Sequence, residues 1–443
     1  MKKTILAIAM AVLAITACKN QPQTPVTPID ESLRPTWFTN ENYFNEKNGM
    51  YVEIPEDTAA GVIYMVGDDY IDRGAWSEFY GDNKIKNRGI TYDATDHVLY
   101  RIGQIAAAKP AKIFVSAGYN DVKHGTKADD IISNVKAIFA KAAEFSPESE
   151  LYYINIAINK TLDEAQAAVA TAVNEGLKDV EGFTYVDINS ALFDGTANGL
   201  YSWDDGKYLN GAGYEALAKC LEPYIGKTAL NKAKEPKKAA QHADYYNHRA
   251  SMFRSLPQTE NAILMLGNSL NNNACWTELF PFTNIVNRGI SGDTVEGIYD
   301  RLDEVIEDNP HKIFLLTGTN DLLDNPDITP SQLWAKYEKL IKAIRKEMPK
   351  TKLYVQSILP LNPMSKFYPG VNEKVVQVNK FIEAAQNTYE YFYIDIASKL
   401  SDEEGNLKVD YTTDGIHLSA DGYFVWATEL AQGPRLMFMP DPE

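Results

Sequence analysis

Short apolar runs alternate with amphipathic stretches along most of the chain. In the C-terminal half, five such runs have the length and composition of buried strands: residues 262–266, 284–287, 312–316, 352–356 and 391–396. Between them, residues 331–347 and 372–385 repeat apolar side chains at helical spacing. Strands that alternate with helices predict a parallel sheet with helices on both faces. In such sheets, functional side chains collect at the carboxyl ends of the strands.

The same pattern occurs twice, because the chain contains an internal repeat. When the sequence is shifted by 200 positions, matching residues align without a gap: Gly67 with Gly267, Trp76 with Trp276, 87–90 with 287–290, Arg101 with Arg301, 112–114 with 312–314, and 120–121 with 320–321. The two copies span about residues 41–226 and 243–432. We therefore predict two tandem three-layer α/β/α domains of flavodoxin-like type, each with a parallel five-stranded sheet.

The N-terminus has the pattern of a targeting signal. Lys2 and Lys3 precede an apolar stretch over residues 5–15 that is too short to span a membrane, and Cys18 follows a small residue. This resembles the lipobox of bacterial lipoproteins, which implies a signal peptide over residues 1–17 and a lipidated Cys18. An ordinary secretory signal that happens to contain a cysteine is the alternative.

The resemblance to lipoproteins predicts a location in the cell envelope, with lipid as the only attachment to the membrane. Residues 18–40 would then be a tether, 227–242 a linker and 433–443 a C-terminal tail. The formal net charge of -17 argues against a nucleic-acid partner, which would need a concentrated basic face. No cofactor is predicted.

Candidate chemistry lies at the predicted strand ends of the second copy. Ser269 follows the first strand, but a lone serine in a turn is weak support for catalysis. The G-x-S-x-G pattern of α/β-hydrolases is absent, because position 271 is asparagine. Three further blocks follow the later strands or precede the last helix: residues 287–294, 317–321 and 414–417.

These four blocks, in this order, resemble the SGNH (GDSL-like) hydrolase family, and most closely its acetylesterase and platelet-activating-factor-acetylhydrolase-like branch. The resemblance implies that Ser269 is the nucleophile, that His417 is its general base and that Asp414 orients His417. It also implies an oxyanion hole formed by the Ser269 N–H, the Gly292 N–H and the Asn320 side-chain amide. The family's first block usually reads Gly-Asp-Ser, whereas this copy has Asn268, a position that we interpret as shaping the turn.

The chemistry of these residue types agrees with those roles. A serine hydroxyl becomes a good nucleophile only when a base takes its proton, and imidazole titrates in the right range. A carboxylate three residues before the histidine can reach the other ring nitrogen and fix its tautomer.

The first copy has lost most of this set. Asp69 stands where Ser269 does, Tyr92 replaces Gly292, and Tyr208 replaces His417, whereas Asn120 and Asp205 are retained. We therefore expect this copy to be degenerate and without turnover. It could instead bind sugar in the vacated cleft.

No metal site is predicted from the sequence. The acidic residues Asp68, Asp69, Asp204 and Asp205 could form a metal cluster, but carboxylates are common in solvated turns. The other histidines have no ligand spacing and are expected at the surface: His97, His124, His242, His248 and His311.

The sequence therefore predicts a serine esterase that removes short acyl groups, most of all O-acetyl groups, from carbohydrates through an acyl-enzyme. The expected partner is an acylated carbohydrate. A lysophospholipase or thioesterase is the alternative within hydrolases, and a non-enzymatic glycan-binding lipoprotein is the alternative outside them.

Overall fold

A computed structural model describes residues 30–54, 60–193, 206–230, 241–281 and 284–432. Its contacts divide the described chain into two compact units, with the boundary between Pro257 and Gln258. The predicted signal peptide with Cys18, most of the predicted linker, the predicted tail and Asp205 lie outside the described residues.

Each unit contains one parallel five-stranded sheet. The strands of the first unit are β1 (Ile63–Gly67), β2 (Ile85–Gly89), β3 (Lys112–Ser116), β4 (Glu150–Ile154) and β5 (Thr184–Val186). Those of the second unit are β6 (Ile263–Gly267), β7 (Ile285–Gly289), β8 (Lys312–Leu316), β9 (Lys352–Gln356) and β10 (Phe392–Ile394). The strand orders are β2-β1-β3-β4-β5 and β7-β6-β8-β9-β10. The two tandem α/β domains predicted from the repeat are thus confirmed.

Helices connect these strands and cover the sheets. In the first unit they are α1 (Glu41–Glu53), α2 (Asp69–Asp72), α3 (Trp76–Tyr80), α4 (Thr95–Ala107), α5 (Tyr119–His124), α6 (Ala128–Phe145), α7 (Glu164–Leu177), α8 (Asn189–Leu192), α9 (Gly211–Ile225) and α10 (Asp244–Phe253). In the second unit they are α11 (Ser269–Asn273), α12 (Trp276–Leu279), α13 (Val295–Asp300), α14 (Leu302–Asp308), α15 (Thr319–Asp324), α16 (Pro330–Glu347), α17 (Val371–Ala385), α18 (Ala397–Leu400) and α19 (Ala420–Gln432). Short 3₁₀ turns cover Glu31–Leu33 and Val409–Tyr411.

The sequence explains where the helix α16 begins and which face it buries. Thr329 and Gln332 form a capping box, and Pro330 occupies the first turn, where its missing N–H costs nothing. The apolar side chains then recur at helical spacing and are buried: Leu333, Tyr337, Leu340, Ile341 and Ile344. They pack in the core formed with Ile313 and Leu315 of β8.

Helix α10 lies in the first unit and not in the second. The repeat predicted that the second domain begins at residue 243, but the boundary between compact units follows Pro257. Eight of the ten α10 residues are buried, and the Ser251 hydroxyl accepts a hydrogen bond of 2.8 Å from the Gly211 N–H at the start of α9. Because α10 packs against α9, the boundary between the compact units lies after α10 and not at residue 243.

Two of the histidines expected at the surface are buried. The exposed fractions of His97 and His248 are 1% and 3%. The His97 ring stacks on Phe38, and its Nδ1 accepts a hydrogen bond of 2.9 Å from the Ala94 N–H at the start of α4. The expectation was wrong for these two residues. For His97, hydrogen bonds to both ring nitrogens, from the Ala94 N–H and with the Trp37 carbonyl, offset the cost of burial.

Among the residues that the structure describes, no helix combines the length and the apolar character that a membrane span requires.

Candidate active site

Three loops of the second unit leave the same edge of the sheet. Gly267 at the end of β6 pairs with Gly289 at the end of β7 and with Leu316 at the end of β8. In a sheet of this strand order, the crevice at the carboxyl ends of these central strands is the expected ligand site. The chain then continues into Ser269, Gly292 and Asn320, respectively.

The nucleophile turn requires glycine at the end of β6. A Cβ at Gly267 would lie 2.0 Å from the Leu316 carbonyl oxygen, so any side chain there would clash with the backbone of β8. The Asn268 side chain then accepts a hydrogen bond of 3.1 Å from the Leu270 N–H and caps α11. This turn places Ser269 directly beyond the sheet edge, half-buried, at the start of α11.

Ser269, His417 and Asp414 form a hydrogen-bonded chain. The His417 Nε2 lies 3.1 Å from the Ser269 Oγ, and the His417 Nδ1 lies 2.7 Å from the Asp414 Oδ2. Ser269 and His417 are 148 positions apart in sequence, and the fold brings them together. Both distances suit proton transfer from the hydroxyl to the imidazole.

The turn between Asp414 and His417 holds the carboxylate in place. The other oxygen of Asp414 accepts hydrogen bonds of 2.8 Å from the N–H groups of Ile416 and His417. Burial opposes ionisation of Asp414, but the hydrogen bond and charge of His417, with these backbone donors, lower the pKa of Asp414 to about 2. Asp414 is therefore an anion whenever His417 can act as a base.

The oxyanion donors predicted from the sequence lie on loops that are tied to the nucleophile turn. Gly292 has φ +81°, a conformation that favours glycine, and a Cβ built there would meet open space. The Asn320 side chain donates a hydrogen bond of 2.8 Å to the Asp293 carbonyl. An amide carries two N–H donors, so its second N–H can bind a substrate oxyanion.

A buried arginine braces these loops. Arg301 is fully buried, its Nε donates to Asp293 at 2.9 Å, and its guanidinium also donates to the carbonyls of Gly267 and Arg288. The first unit contains the equivalent pair, with Arg101 Nε 2.9 Å from Asp93. Since this brace occurs in both units, its role is to hold the loops and not to react.

In the first unit, the equivalent site is filled by its own side chains. Asp69 is 2% exposed, and its Oδ2 accepts hydrogen bonds from the Tyr92 N–H at 3.2 Å and from the Asn120 side chain at 3.0 Å. Those two groups are the counterparts of the Gly292 and Asn320 donors. Lys207 binds the other carboxylate oxygen at 3.3 Å. The carboxylate therefore occupies the place where an oxyanion would bind.

The electrostatic environment of this filled site does not favour a general base at the position of either Asp69 or Tyr208. Burial disfavours the charged form of Asp69, but Lys207 and Arg73 more than compensate and hold its pKa below the ordinary value. Burial, together with the negative charge of Asp69, raises the pKa of Tyr208 far above its ordinary value. The Tyr208 hydroxyl accepts a hydrogen bond of 2.9 Å from the Lys207 ammonium, and its raised pKa keeps it protonated.

Sequence comparison did not identify Lys207 as part of this site. Its counterpart in the second copy is Ile416, and nothing in the spacing indicates that its ammonium faces Asp69. The sequence offered an aspartate at position 69, and its need for a positive partner follows only once the structure shows that it is buried.

Within the described ranges, no group of three or more histidine, cysteine, aspartate or glutamate side chains is arranged to hold a metal ion.

Comparisons with known proteins show which family this chain belongs to. The chain is 27% identical over 148 residues to N-acylneuraminate cytidylyltransferase of Escherichia coli, covering 33% of this chain and 34% of that protein. It is 27% identical over 152 residues to platelet-activating factor acetylhydrolase IB subunit alpha1 of Rattus norvegicus, covering 33% of this chain and 62% of the relative. The chain thus spans about a third and about three fifths of the length of these two relatives.

Among solved structures, a GDSL-like lipase of Bacteroides thetaiotaomicron is 22% identical and matches with a TM-score of 0.38, covering 42% of this chain and 95% of that chain. The profile of the GDSL-like Lipase/Acylhydrolase family matches residues 65–216 and 267–424, which together are most of the sequence. Both matched regions coincide with the two α/β units. The chain therefore belongs to the GDSL-like lipase/acylhydrolase family.

Proposed function

We propose that the second unit is a serine esterase that removes short acyl groups, above all acetyl, from carbohydrate hydroxyls. The observation that carries the proposal is the single histidine bonded at once to a serine hydroxyl and to an ionised aspartate. Family membership supplies the acylhydrolase class. The name of the rat relative, an acetylhydrolase, supports the acetyl group.

The geometry supports acyl transfer in two steps. The Ser269 Oγ attacks the ester carbonyl while the His417 Nε2 takes its proton, and the carbonyl oxygen becomes an oxyanion that faces Gly292 and Asn320. The C–O bond to the alcohol then breaks as His417 returns the proton to the alcohol oxygen. Water, activated by the same imidazole, releases the acid and regenerates Ser269. Asp414 stabilises the imidazolium in both steps.

The first unit, in this proposal, contributes no turnover. A protein carboxylate already binds its Tyr92 and Asn120 donors, and the tyrosine at the position of the base is bonded to a lysine. Small ligands would have to displace a buried ion pair, so this filled site also argues against a vacant sugar cleft there.

The test is hydrolysis of p-nitrophenyl acetate, butyrate and octanoate by the full chain and by Ser269→Ala. We expect a preference for acetate, insensitivity to EDTA, and a fall in kcat on the order of 10⁶ in the variant. The substitution leaves Asn320 and Arg301 in place, so we expect the fold to persist. The circular dichroism spectrum of the variant should therefore match that of the original protein. A variant that keeps a tenth of the rate would exclude Ser269 as nucleophile. Residual hydrolysis that a second change, Asp69→Ala, removes would place activity in the first unit.

A further inference from the structure

The loop before α17 distinguishes the two units. In the second unit, 14 residues (357–370) connect β9 to α17, whereas 9 residues (155–163) make the same connection between β4 and α7 of the first unit. The longer loop thus occurs only in the unit with the hydrogen-bonded serine, histidine and aspartate. We call residues 357–370 the long loop.

The long loop packs directly on the turn that carries the histidine. The Asn362 N–H donates a hydrogen bond of 2.9 Å to the Gly415 carbonyl. A Cβ at Gly415 would lie 2.7 Å from the Ser365 nitrogen and 2.8 Å from the Met364 Cγ. Gly415 therefore has no room for a side chain, because Met364 and Ser365 of the long loop occupy the space beside it.

Exposed apolar side chains occur on the long loop and on the segment that precedes the histidine turn. Met364 is 53% exposed, Phe367 is 41% exposed, and Val409, just before the catalytic turn, is 61% exposed. Among the described residues, these are three of the five large apolar side chains with such exposure, and all five are in the second unit. The Asn362 side chain donates a hydrogen bond of 2.6 Å to the Leu407 carbonyl and so links the long loop to the segment before Val409. Clustered exposed apolar groups indicate a binding surface more strongly than scattered ones do.

The chemistry of the reaction tells which part of the substrate meets this surface. The leaving alcohol oxygen takes its proton from the His417 Nε2, so it must lie on the side of His417. The carbonyl oxygen points instead toward Gly292 and Asn320. Structures packed on the histidine turn therefore adjoin the alcohol portion of the ester, and not its acyl portion.

We propose that Met364 and Phe367 of the long loop, with Val409, form the subsite for the alcohol portion, and that this alcohol is an uncharged sugar. The subsite rests on the proposed esterase function. The C–H face of a sugar ring suits exposed apolar side chains, and its hydroxyls suit a polar surround. Beside Val409 lies an open cleft of about 560 Å³ whose lining carries four carboxylates and one ammonium: Asn362, Ser401, Asp402, Glu403, Glu404, Lys408, Val409 and Asp410.

This charge balance favours a neutral sugar over a phospholipid. A phosphate group placed beside Val409 would face an excess of negative charge, which costs binding energy at these distances. A neutral polyol carries no such penalty and can donate hydrogen bonds to carboxylates.

The test compares three acetate esters that share the acyl group: an acetylated methyl glucoside, the same glucoside bearing a phosphate, and ethyl acetate. For Phe367→Ala, we expect the ratio of kcat/KM for the glucoside to that for ethyl acetate to fall about tenfold, equivalent to about 1.4 kcal/mol. The loss should come from a higher KM. Met364→Ala is the second variant, since it tests the same surface if Phe367→Ala misfolds. Phe381→Ala, which is 38% exposed on α17 outside the long loop, is the matched control and should keep the original ratio.

Different outcomes separate this inference from the proposed function. If none of the three esters is hydrolysed in a Ser269-dependent way, the esterase proposal itself fails. If all are hydrolysed but the ratio stays unchanged in both loop variants, or falls equally in Phe381→Ala, the subsite is wrong while the esterase remains. Faster turnover of the phosphorylated glucoside than of the neutral one would overturn the uncharged-sugar assignment.

Discussion

At the scale of single residues, the two units differ by a few side chains at equivalent backbone positions. Ser269 with His417 makes a reactive pair, whereas Asp69 with Lys207 makes a closed ion pair. The backbone that presents them is nearly the same, since both follow a glycine at the end of a central strand. We therefore expect activity in this fold to depend on which side chain stands on the turn.

The contribution of the negative charge on Asp414 can be tested by a substitution that removes the charge and keeps the shape of the side chain. Asp414→Asn keeps an acceptor for the backbone N–H groups but offers the wrong partner to the His417 Nδ1, so we expect kcat to fall by about 10⁴. The measurement is kcat on p-nitrophenyl acetate. The temperature of thermal unfolding is the control and should be unchanged.

The pH profile of the unchanged enzyme gives a second measure of the same residue. Since the folded pKa of Asp414 is lowered to about 2, its charge is constant above about pH 4, and it is lost only as the pH falls toward 2. The acid limb of log kcat/KM should therefore have a slope of one, from a single imidazole. A slope of two between pH 4 and pH 6 would contradict this assignment.

Asp68 and Asn268 are equivalent residues with different formal charge. Burial, followed by the charge of Asp69, raises the pKa of Asp68 well above its ordinary value, so the protonated form, which is neutral like Asn268, persists to a higher pH than in a free aspartate. A carboxyl group with a raised folded pKa loses stabilisation as the pH rises above its unfolded value of about 3.9.

We therefore expect Asp68→Asn to fold normally and to gain stability relative to the original chain as the pH rises from 4 to 8. The measurement is the free energy of unfolding of both proteins in denaturant across that range. A variant that instead loses stability with rising pH would show that Asp68 is charged in the folded state.

At the scale of secondary-structure elements, the pattern of apolar residues predicted the sheet closely. The strands β8 and β9 begin and end where predicted, and α16 and α17 each begin one residue earlier. β10 is shorter, because Tyr391 and Ile396 are buried without belonging to the ladder. Buried strands are short and apolar throughout, so periodicity locates them well.

The segments that pack against the turns of the candidate site were less predictable from the sequence. Four ordered blocks predicted Ser269, Gly292, Asn320 and His417 as site residues, but they could not show that the long loop lies against Gly415. Likewise, the repeat predicted that α10 belongs to the second domain, and only its packing on α9 places it in the first. Contacts between distant segments depend on shape, which local spacing does not contain.

The start of helix α15, which carries Asn320, allows a test at this scale. Asn320→Ala removes one oxyanion donor, so we expect kcat to fall by about 10²–10³ with KM nearly unchanged, because the donor strengthens only in the transition state. Asn120→Ala in the first unit is the matched control and should leave kcat unchanged. Equal losses in both variants would mean that each unit turns over ester.

At the scale of the whole molecule, one chain carries an open site and a filled site on the same architecture. We also propose a lipid anchor at Cys18, outside the described residues, because the sequence there resembles a lipobox. Lipid on one cysteine would hold the protein at the cell envelope, where acylated glycans are accessible.

Replacing the anchoring cysteine tests that part of the proposal. We expect Cys18→Ser to move the protein from the membrane fraction to the soluble fraction of the cell, with kcat on p-nitrophenyl acetate unchanged. Fractionation followed by immunoblotting measures the shift. Continued membrane association, with no lipid detected by mass spectrometry on the original N-terminus, would favour an ordinary secretory signal or another attachment.

Tyr92 occupies a turn whose shape favours glycine. It has φ +73°, close to the +81° of Gly292, although a tyrosine is seldom stable in that conformation. The Tyr92 N–H donates to the Asp69 carboxylate, so the first unit keeps this donor in place at the cost of a strained residue. The two units thus share the backbone shape of this turn, although the side chains on it differ.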